Sequence, residues 1–172
     1  MPHKEIYRDF LAHTEDLLTS YDERQNAVSL RRCVSAAYYS VWHCLCYAWS
    51  IKFDSSLQGK LYRKPDHIKA KKAASDMQGR KNTWKEKNSE CCEDLQCFCE
   101  DFIRLQEARH LADYDIDVII PKHEAIAAVA RAKRCISLFE SVISGQQKDA
   151  AVIMEVDCFL LESLSLKHQD RN

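Results

Sequence analysis

The stretch that most constrains this chain runs from Cys91 to Tyr114, where Cys91, Leu95, Phe98, Phe102 and Leu105 recur at alternating steps of four and three. That rhythm draws one apolar stripe along a helix, and such a helix is stable when the stripe packs against other helices. Carried forward, the rhythm reaches Arg109 and then Ala112. The stripe therefore meets an arginine just before Ala-Asp-Tyr-Asp ends the helix. A guanidinium cannot shed its charge at ordinary pH, so in a seam it needs a carboxylate, a phosphate or an open cleft beside it. Asp113, one turn on, is the internal candidate. A phosphate-bearing ligand is the external one.

The rest of the chain also reads as helix, and three glycines and three prolines in 172 residues leave little material for turns. Residues 3–20 place Ile6, Phe10, Leu11, Leu17 and Leu18 on one side. Residues 23–51 carry the strongest pattern, Leu30, Val34, Ala37, Val41, Leu45 and Ala48, widened by Tyr38, Trp42 and Trp49. Small residues among these aromatics (Ser35, Ala36, Ala37, Ser40) suit a central helix with close neighbours on several sides. Near its start, Arg31 and Arg32 are either surface charges or a source of positive potential for a cleft; His43 reads as a satisfied, partly buried imidazole.

Residues 52–83 are the least regular part. Lys64-Pro65-Asp66 is a turn leading into a short helix, His67 to Met77, and Gln78-Gly79-Arg80-Lys81 breaks it. A further helix spans 121–144, with Ala125, Val129, Ala132, Ile136, Phe139 and Ile143 on one face and Gly145 as its stop. Ile119, Ile120 and Pro121 are placed to staple its start. The segment 149–172, with Val152, Val156, Phe159 and Leu160, is apolar enough for a last helix over about 150–165, a strand over Ala151 to Val156 being the alternative. The expectation is an all-α chain: one unit over 1–148 with a basic insertion at about 52–83, and a C-terminal extension, 149–172, packing on it or on a second subunit.

Composition excludes several function classes. No apolar run approaches the length of a membrane span. The N-terminus, Met-Pro-His-Lys-Glu-Ile-Tyr-Arg, has no apolar core of a signal peptide, so a cytoplasmic location and reduced thiols are expected for the nine cysteines. Cys91, Cys92, Cys97 and Cys99 lie within one helical stretch rather than in paired knuckles, which favours small buried hydrophobes over zinc ligands. Gly-rich phosphate loops, Gly-x-Ser-x-Gly, His-Glu-x-x-His and paired Cys-x-x-Cys are absent, so neither a cofactor nor a metal is expected.

The formal net charge of −1 is unevenly spread. Residues 60–87 hold ten basic residues (Lys60, Arg63, Lys64, Lys69, Lys71, Lys72, Arg80, Lys81, Lys85, Lys87) against Asp66, Asp76 and Glu86. Ten against three makes that segment +7, which leaves −8 for the remainder. A basic block on an otherwise acidic chain is an electrostatic footprint for nucleic acid, or else a solvated face.

Two segments together resemble the HEPN (higher eukaryotes and prokaryotes nucleotide-binding) domain family. Arg32-Cys-Val-Ser-Ala-Ala-Tyr-Tyr-Ser-Val-Trp-His43 looks like that family's Arg-x-x-x-x-Ala-Tyr-Tyr-x-x-Phe-His helix. Leu105-Gln-Glu-Ala-Arg-His-Leu-Ala-Asp-Tyr-Asp115 is similar to the Arg-x-x-Ala-Asp-Tyr signature of one prokaryotic branch. The likeness covers roughly residues 5–145. It implies an up-and-down antiparallel bundle of four to five helices that commonly dimerises. In active members an arginine and a histidine four to six residues apart cleave RNA without metal: the guanidinium steadies the phosphate and the imidazole moves a proton.

In this chain the residues at histidine spacing from Arg109 are Tyr114, Asp115 and Ile116, while Arg104 with His110 fits the spacing but not the seam. Residues six apart on a helix project about 120° from each other. The candidate site is therefore Arg109 with His110, Asp113 and Tyr114, and the basic residues Lys60, Arg63, Lys64, Lys69, Lys71, Lys72, Arg80 and Lys81 form the expected entry surface for RNA.

Three readings follow. The resemblance implies an RNA- or nucleotide-associated protein of toxin–antitoxin or defence type, acting as a homodimer, with metal-independent cleavage as its stronger form. The alternative is a non-catalytic module in which Arg109, Asp113 and Tyr114 lock a helix end and the chain binds a partner such as a nucleotidyltransferase. A cysteine-dependent role ranks below both.

Overall fold

The structure is a computed structural model that describes residues 5–20, 27–52, 65–79 and 91–163, apart from the side chains of Cys91 and Cys92. The side chain of Cys91 in the seam and seven of the ten basic residues of 60–87 (Lys60, Arg63, Lys64, Arg80, Lys81, Lys85, Lys87) fall outside what the structure describes. The described residues form six helices and no strand: α1 (Ile6–Thr19), α2 (Ala27–Lys52), α3 (His67–Gly79), α4 (Cys91–Tyr114), α5 (Lys122–Ile143) and α6 (Ala150–Glu162). All-helical architecture is what the periodicity requires, and residues 151–156 are helix rather than strand.

α2 is the central element and touches α1, α4 and α5. Its alternation of small and large side chains explains this. Cys33, Ala37, Ser40, Cys44 and Ala48 allow close approach of neighbours, while Val41, Leu45 and Trp49 fill the spaces between them; all are buried. The seam of α4 is buried as its spacing demands: Leu95, Phe98, Phe102, Leu105 and Ala112 are each 5% exposed or less.

α6 belongs to the same core. Phe159 packs edge-on against Phe98, with ring centroids 4.9 Å apart, and Phe98 meets Phe139 of α5 at 4.8 Å. Truncating any of these buried rings to alanine costs on the order of 3–5 kcal/mol. The indole N–H of Trp49 donates to Ser163 Oγ at 3.2 Å, and Asp66 N–H donates to the Ser163 carbonyl at 3.2 Å, which ties the start of α3 to the end of α6.

Helix ends follow their local chemistry. Asp66 caps α3, its Oδ1 accepting from Ile68 N–H (2.8 Å) and Lys69 N–H (3.0 Å). Asp149 caps α6 in the same way through Ala151 N–H. Gly145, at φ 72°, closes α5 in the left-handed conformation that a helix stop requires. Of the residues expected to staple α5, Ile120 is buried, whereas Ile119 is 84% exposed.

The end of α4 is held differently. Its last turn carries no basic residue of its own. Arg31 of α2 reaches across instead, donating to the carbonyls of Leu111 (3.1 Å), Ala112 (3.0 Å), Asp115 and Val118. Ala112 offers one of the carbonyls the helix C-terminus leaves open, and Leu111 O also accepts from Asp115 N–H. Asp115 and Val118 belong to the segment that follows, and the cation meets the negative end of the helix dipole. Arg31 is thus a clamp between two helices.

Cys33, Cys44, Cys46, Cys99 and Cys135 are free, buried thiols. Burial pushes Cys33 up to about 11 and Cys46 and Cys99 up to about 12, which disfavours the reactive thiolate. Among the described residues, no group of three or more His, Cys, Asp or Glu is arranged to hold a metal ion. No described helix is long and apolar enough to cross a membrane.

Candidate functional site around Arg109

Arg109 is delivered by the seam of α4 against the middle of α2. Its Nη2 donates to the Tyr39 hydroxyl at 2.6 Å, and its Nε stands 2.8 Å from Asp113 Oδ2. That second contact pairs charges without forming an aligned hydrogen bond, and Nε is buried with no hydrogen-bond partner. The guanidinium lies over three tyrosine rings, Tyr38 (5.8 Å), Tyr39 (5.3 Å) and Tyr114 (5.3 Å). Side-chain exposure is 19% for Arg109 and 27% for Asp113. Burial opposes its charge, but the Tyr39 hydrogen bond and the Asp113 carboxylate outweigh that and hold the cation.

The same tyrosine pair carries a histidine that sequence spacing did not single out. His67, the first residue of α3, stacks on Trp42 with ring centroids 3.7 Å apart and meets Tyr39 edge-on. Its Nδ1 is 2.5 Å from the Tyr38 hydroxyl. Tyr38 is 1% exposed and its hydroxyl has no other partner, so the phenol proton goes to Nδ1 and the imidazole proton sits on Nε2, an assignment made from the hydrogen-bond network. Burial, aided by the charge of Arg109, lowers the His67 pKa from its ordinary value of 6.5. Burial raises that of Tyr38, which keeps the phenol protonated. His43 lies near, stacked on Phe10 at 5.0 Å, and burial lowers its pKa as well.

The remaining candidates divide. Tyr114 is 64% exposed and bridges Arg109 to His110, its ring 5.1 Å from the imidazole. Arg104 stays outside, paired with Glu100 at 2.5 Å on the exposed face, so Arg104 and His110 do not converge. Of the described basic residues, Lys71 is paired with Glu107 at 3.0 Å, whereas Lys69 and Lys72 have no ion pair. His67 was missed because it lies 42 residues from Arg109 in sequence and comes from an otherwise unremarkable turn. The signal that could have found it is Asp66, the cap that fixes where α3 begins. Tyr38 and Tyr39 stand in the aromatic motif of α2, and the structure brings that motif and the Arg109 segment together.

The arrangement offers hydrogen-bond donors and positive charge, and little base. In its assigned tautomer His67 presents an N–H rather than a lone pair. Asp113 is committed to Arg109.

No protein-family model, curated protein or solved structure matches this chain.

Proposed function

We propose that this chain is a HEPN-like RNA- or nucleotide-associated protein, of the kind found in toxin–antitoxin or defence systems, that binds its ligand without cleaving it. The observation that carries this reading is the pairing state of Arg109 and His67: the cation is neutralised by Asp113 and held by Tyr39, and Nδ1 of the imidazole is hydrogen-bonded to the Tyr38 hydroxyl. Phosphate association is supported by Lys69 and Lys72, unpaired on α3 next to the site, and by the positive balance of the surrounding segment. Cleavage needs a group that removes the 2'-hydroxyl proton, and Asp113 and His67 Nδ1 are already engaged, with Arg109 and the Tyr38 hydroxyl respectively.

A partner-binding role has its own support. Leu111, Tyr114, Ile116 and Ile119 at the end of α4 are 41%, 64%, 87% and 84% exposed, an apolar surface suited to a second copy or to a nucleotidyltransferase-type protein. The test is a mobility shift of end-labelled RNA with EDTA present, using the wild-type chain and Arg109→Ala. Retarded, intact RNA is expected; EDTA-resistant cleavage lost in the variant would replace this reading with a ribonuclease.

A further inference from the structure

The start of α1 and the second half of α2 meet the end of α5 around a cleft of about 350 Å³. Glu5, Tyr7 and Arg8 line it from α1 and its cap, Tyr47 from α2, and Glu140 and Ile143 from α5. The volume lies at the lower end of the range for small-molecule sites. None of the residues around Arg109, and neither Lys69 nor Lys72, lines it.

The hydrogen bonds in this cleft leave one carboxylate oxygen open. Tyr7, 1% exposed, donates its hydroxyl proton to Glu140 Oε1 at 2.8 Å, and Arg8 Nε donates to the same oxygen at 3.0 Å. Among the described residues, none donates to Glu140 Oε2. A buried tyrosine thus orients a carboxylate whose second oxygen has no donor. The charge balance points the same way: Glu5 and Glu140 face Arg8, two against one, which leaves −1 among the lining residues. The last turn of α5 has no basic residue, so the negative end of its dipole adds to that charge. Lys148 is held by the Gly145 carbonyl at 2.6 Å and does not line the cleft.

The walls are aromatic and aliphatic. Tyr7 and Tyr47 pack with ring centroids 5.7 Å apart, and Arg8 lies over the Tyr7 ring at 5.6 Å, so this wall takes a cation on an aromatic face. Tyr47 and Ile143 are half-buried. Negative charge, an open acceptor and apolar walls select a cation with an apolar stem. One free carboxylate oxygen falls short of the several oxygen ligands a hard metal ion takes. A guanidinium prefers both oxygens of a carboxylate, whereas an ammonium is a point donor that one oxygen satisfies. The side chains of Arg8 and Glu5 are both more than half exposed, and such pairs hold weakly, so an arriving ammonium competes with Arg8 at little cost.

We propose that the cleft lined by Tyr7, Arg8, Tyr47, Glu140 and Ile143 binds a primary alkylammonium group: Glu140 Oε2 takes the charge, and Tyr47 and Ile143 cover the methylene stem. A lysine side chain of a partner protein and a free polyamine share this chemistry. The Arg8 guanidinium is the built-in competitor, holding Glu5 and Glu140 in the chain by itself.

Amide-shift titrations of the full chain by NMR test it with butylammonium, 1-butanol, Nα-acetyl-lysine methylamide and spermidine at physiological salt. Butylammonium should move the amide signals of residues 5–8, 47 and 140–146 saturably at millimolar concentration, and butanol should not. Glu140→Gln, which still accepts from Tyr7, should weaken butylammonium about threefold or more. Tyr47→Leu, which alters no charge, should weaken it about twofold or more. Arg8→Gln removes the competitor and should strengthen it about threefold or more. Tighter binding of spermidine than of the lysine amide assigns the cleft to free polyamines, and equal or weaker binding assigns it to lysine side chains. The proposal is overturned if butylammonium gives no saturable shift at millimolar concentration, if butanol matches it, or if Tyr47→Leu and Arg8→Gln both bind as the wild type does. The amide spectrum of each variant shows whether it is folded, and Arg8→Gln, an exposed change, keeps the test decisive if Glu140→Gln is not. If RNA is not retarded while butylammonium binds, the RNA reading falls and the cleft stands; the reverse pattern removes the cleft alone.

Discussion

The Tyr39 hydroxyl accepts from Arg109 Nη2 at 2.6 Å, and this contact joins the aromatic segment of α2 to the seam arginine of α4 across 70 positions of sequence. Tyr39→Phe keeps the ring under the guanidinium but removes the acceptor, leaving a part-buried cation with Asp113 alone. A loss of about 1–2 kcal/mol is expected, read as a lower midpoint in urea at unchanged slope. Combined with Arg109→Met, the two changes should cost less than their sum, because each removes the same interaction. Strict additivity would mean that the pair contributes nothing to stability.

Arg31 carries the second prediction. Its guanidinium serves the carbonyls of Leu111, Ala112, Asp115 and Val118 at and just beyond the end of α4, whose last turn has no basic residue of its own. Arg31→Met should cost about 2 kcal/mol and speed amide exchange in the last turn of α4 and the segment that follows. Arg31→Lys should recover only part of the loss, since an ammonium lacks the planar fork that reaches several carbonyls at once. Unchanged exchange over residues 111–118 in the methionine variant would show that this helix end is held by packing alone.

These two arginines mark where sequence reasoning ends. The seam of α4 was legible because burial imposes a period, so Leu95, Phe98, Phe102 and Leu105 identify their own face and deliver Arg109 to it. Asp113 was legible as its partner because four residues make one helical turn. The role of Arg31 was not legible: nothing in Leu30-Arg31-Arg32-Cys33 separates an arginine that clamps a distant helix from its neighbour, which remains unpaired. His67 was hidden for the same reason. Its place beside Tyr38 and Trp42 depends on how α3 docks, and docking is set by contacts between elements that no local pattern encodes.

His67 and His43 make stability depend on pH. Burial is the first cause for both, and it holds them below the ordinary 6.5, with the charge of Arg109 adding to the effect at His67 and Asp66 opposing it. As pH falls through 6.5 the unfolded chain takes up protons at these positions before the folded chain does, so the folded state loses ground. Their contribution is complete above about pH 7 and declines as pH drops from 6.5 towards the folded-state values. The melting temperature should therefore fall between pH 7 and pH 5. His67→Asn, which can still accept from Tyr38, should flatten that decline; an equally steep profile in the variant would assign the acid sensitivity to other groups.

The last prediction separates RNA contact from solvated charge on α3. Lys69 and Lys72 are three residues apart, on one face of the helix, and have no ion pair, whereas Lys71 is held by Glu107 at 3.0 Å. A lysine already paired must break that pair to meet a phosphate, so the three are not equivalent. If the face binds RNA, each free lysine displaces counterions from the strand, and for single strands each phosphate contact contributes about 0.7 to the slope of log affinity against log salt. Replacing both Lys69 and Lys72 by glutamine should then lower the slope by about 1.4 and weaken binding most at low salt. Lys71→Gln should change the slope less than either single substitution of the other two. Binding that keeps its full salt dependence in the double variant would move the RNA surface away from α3.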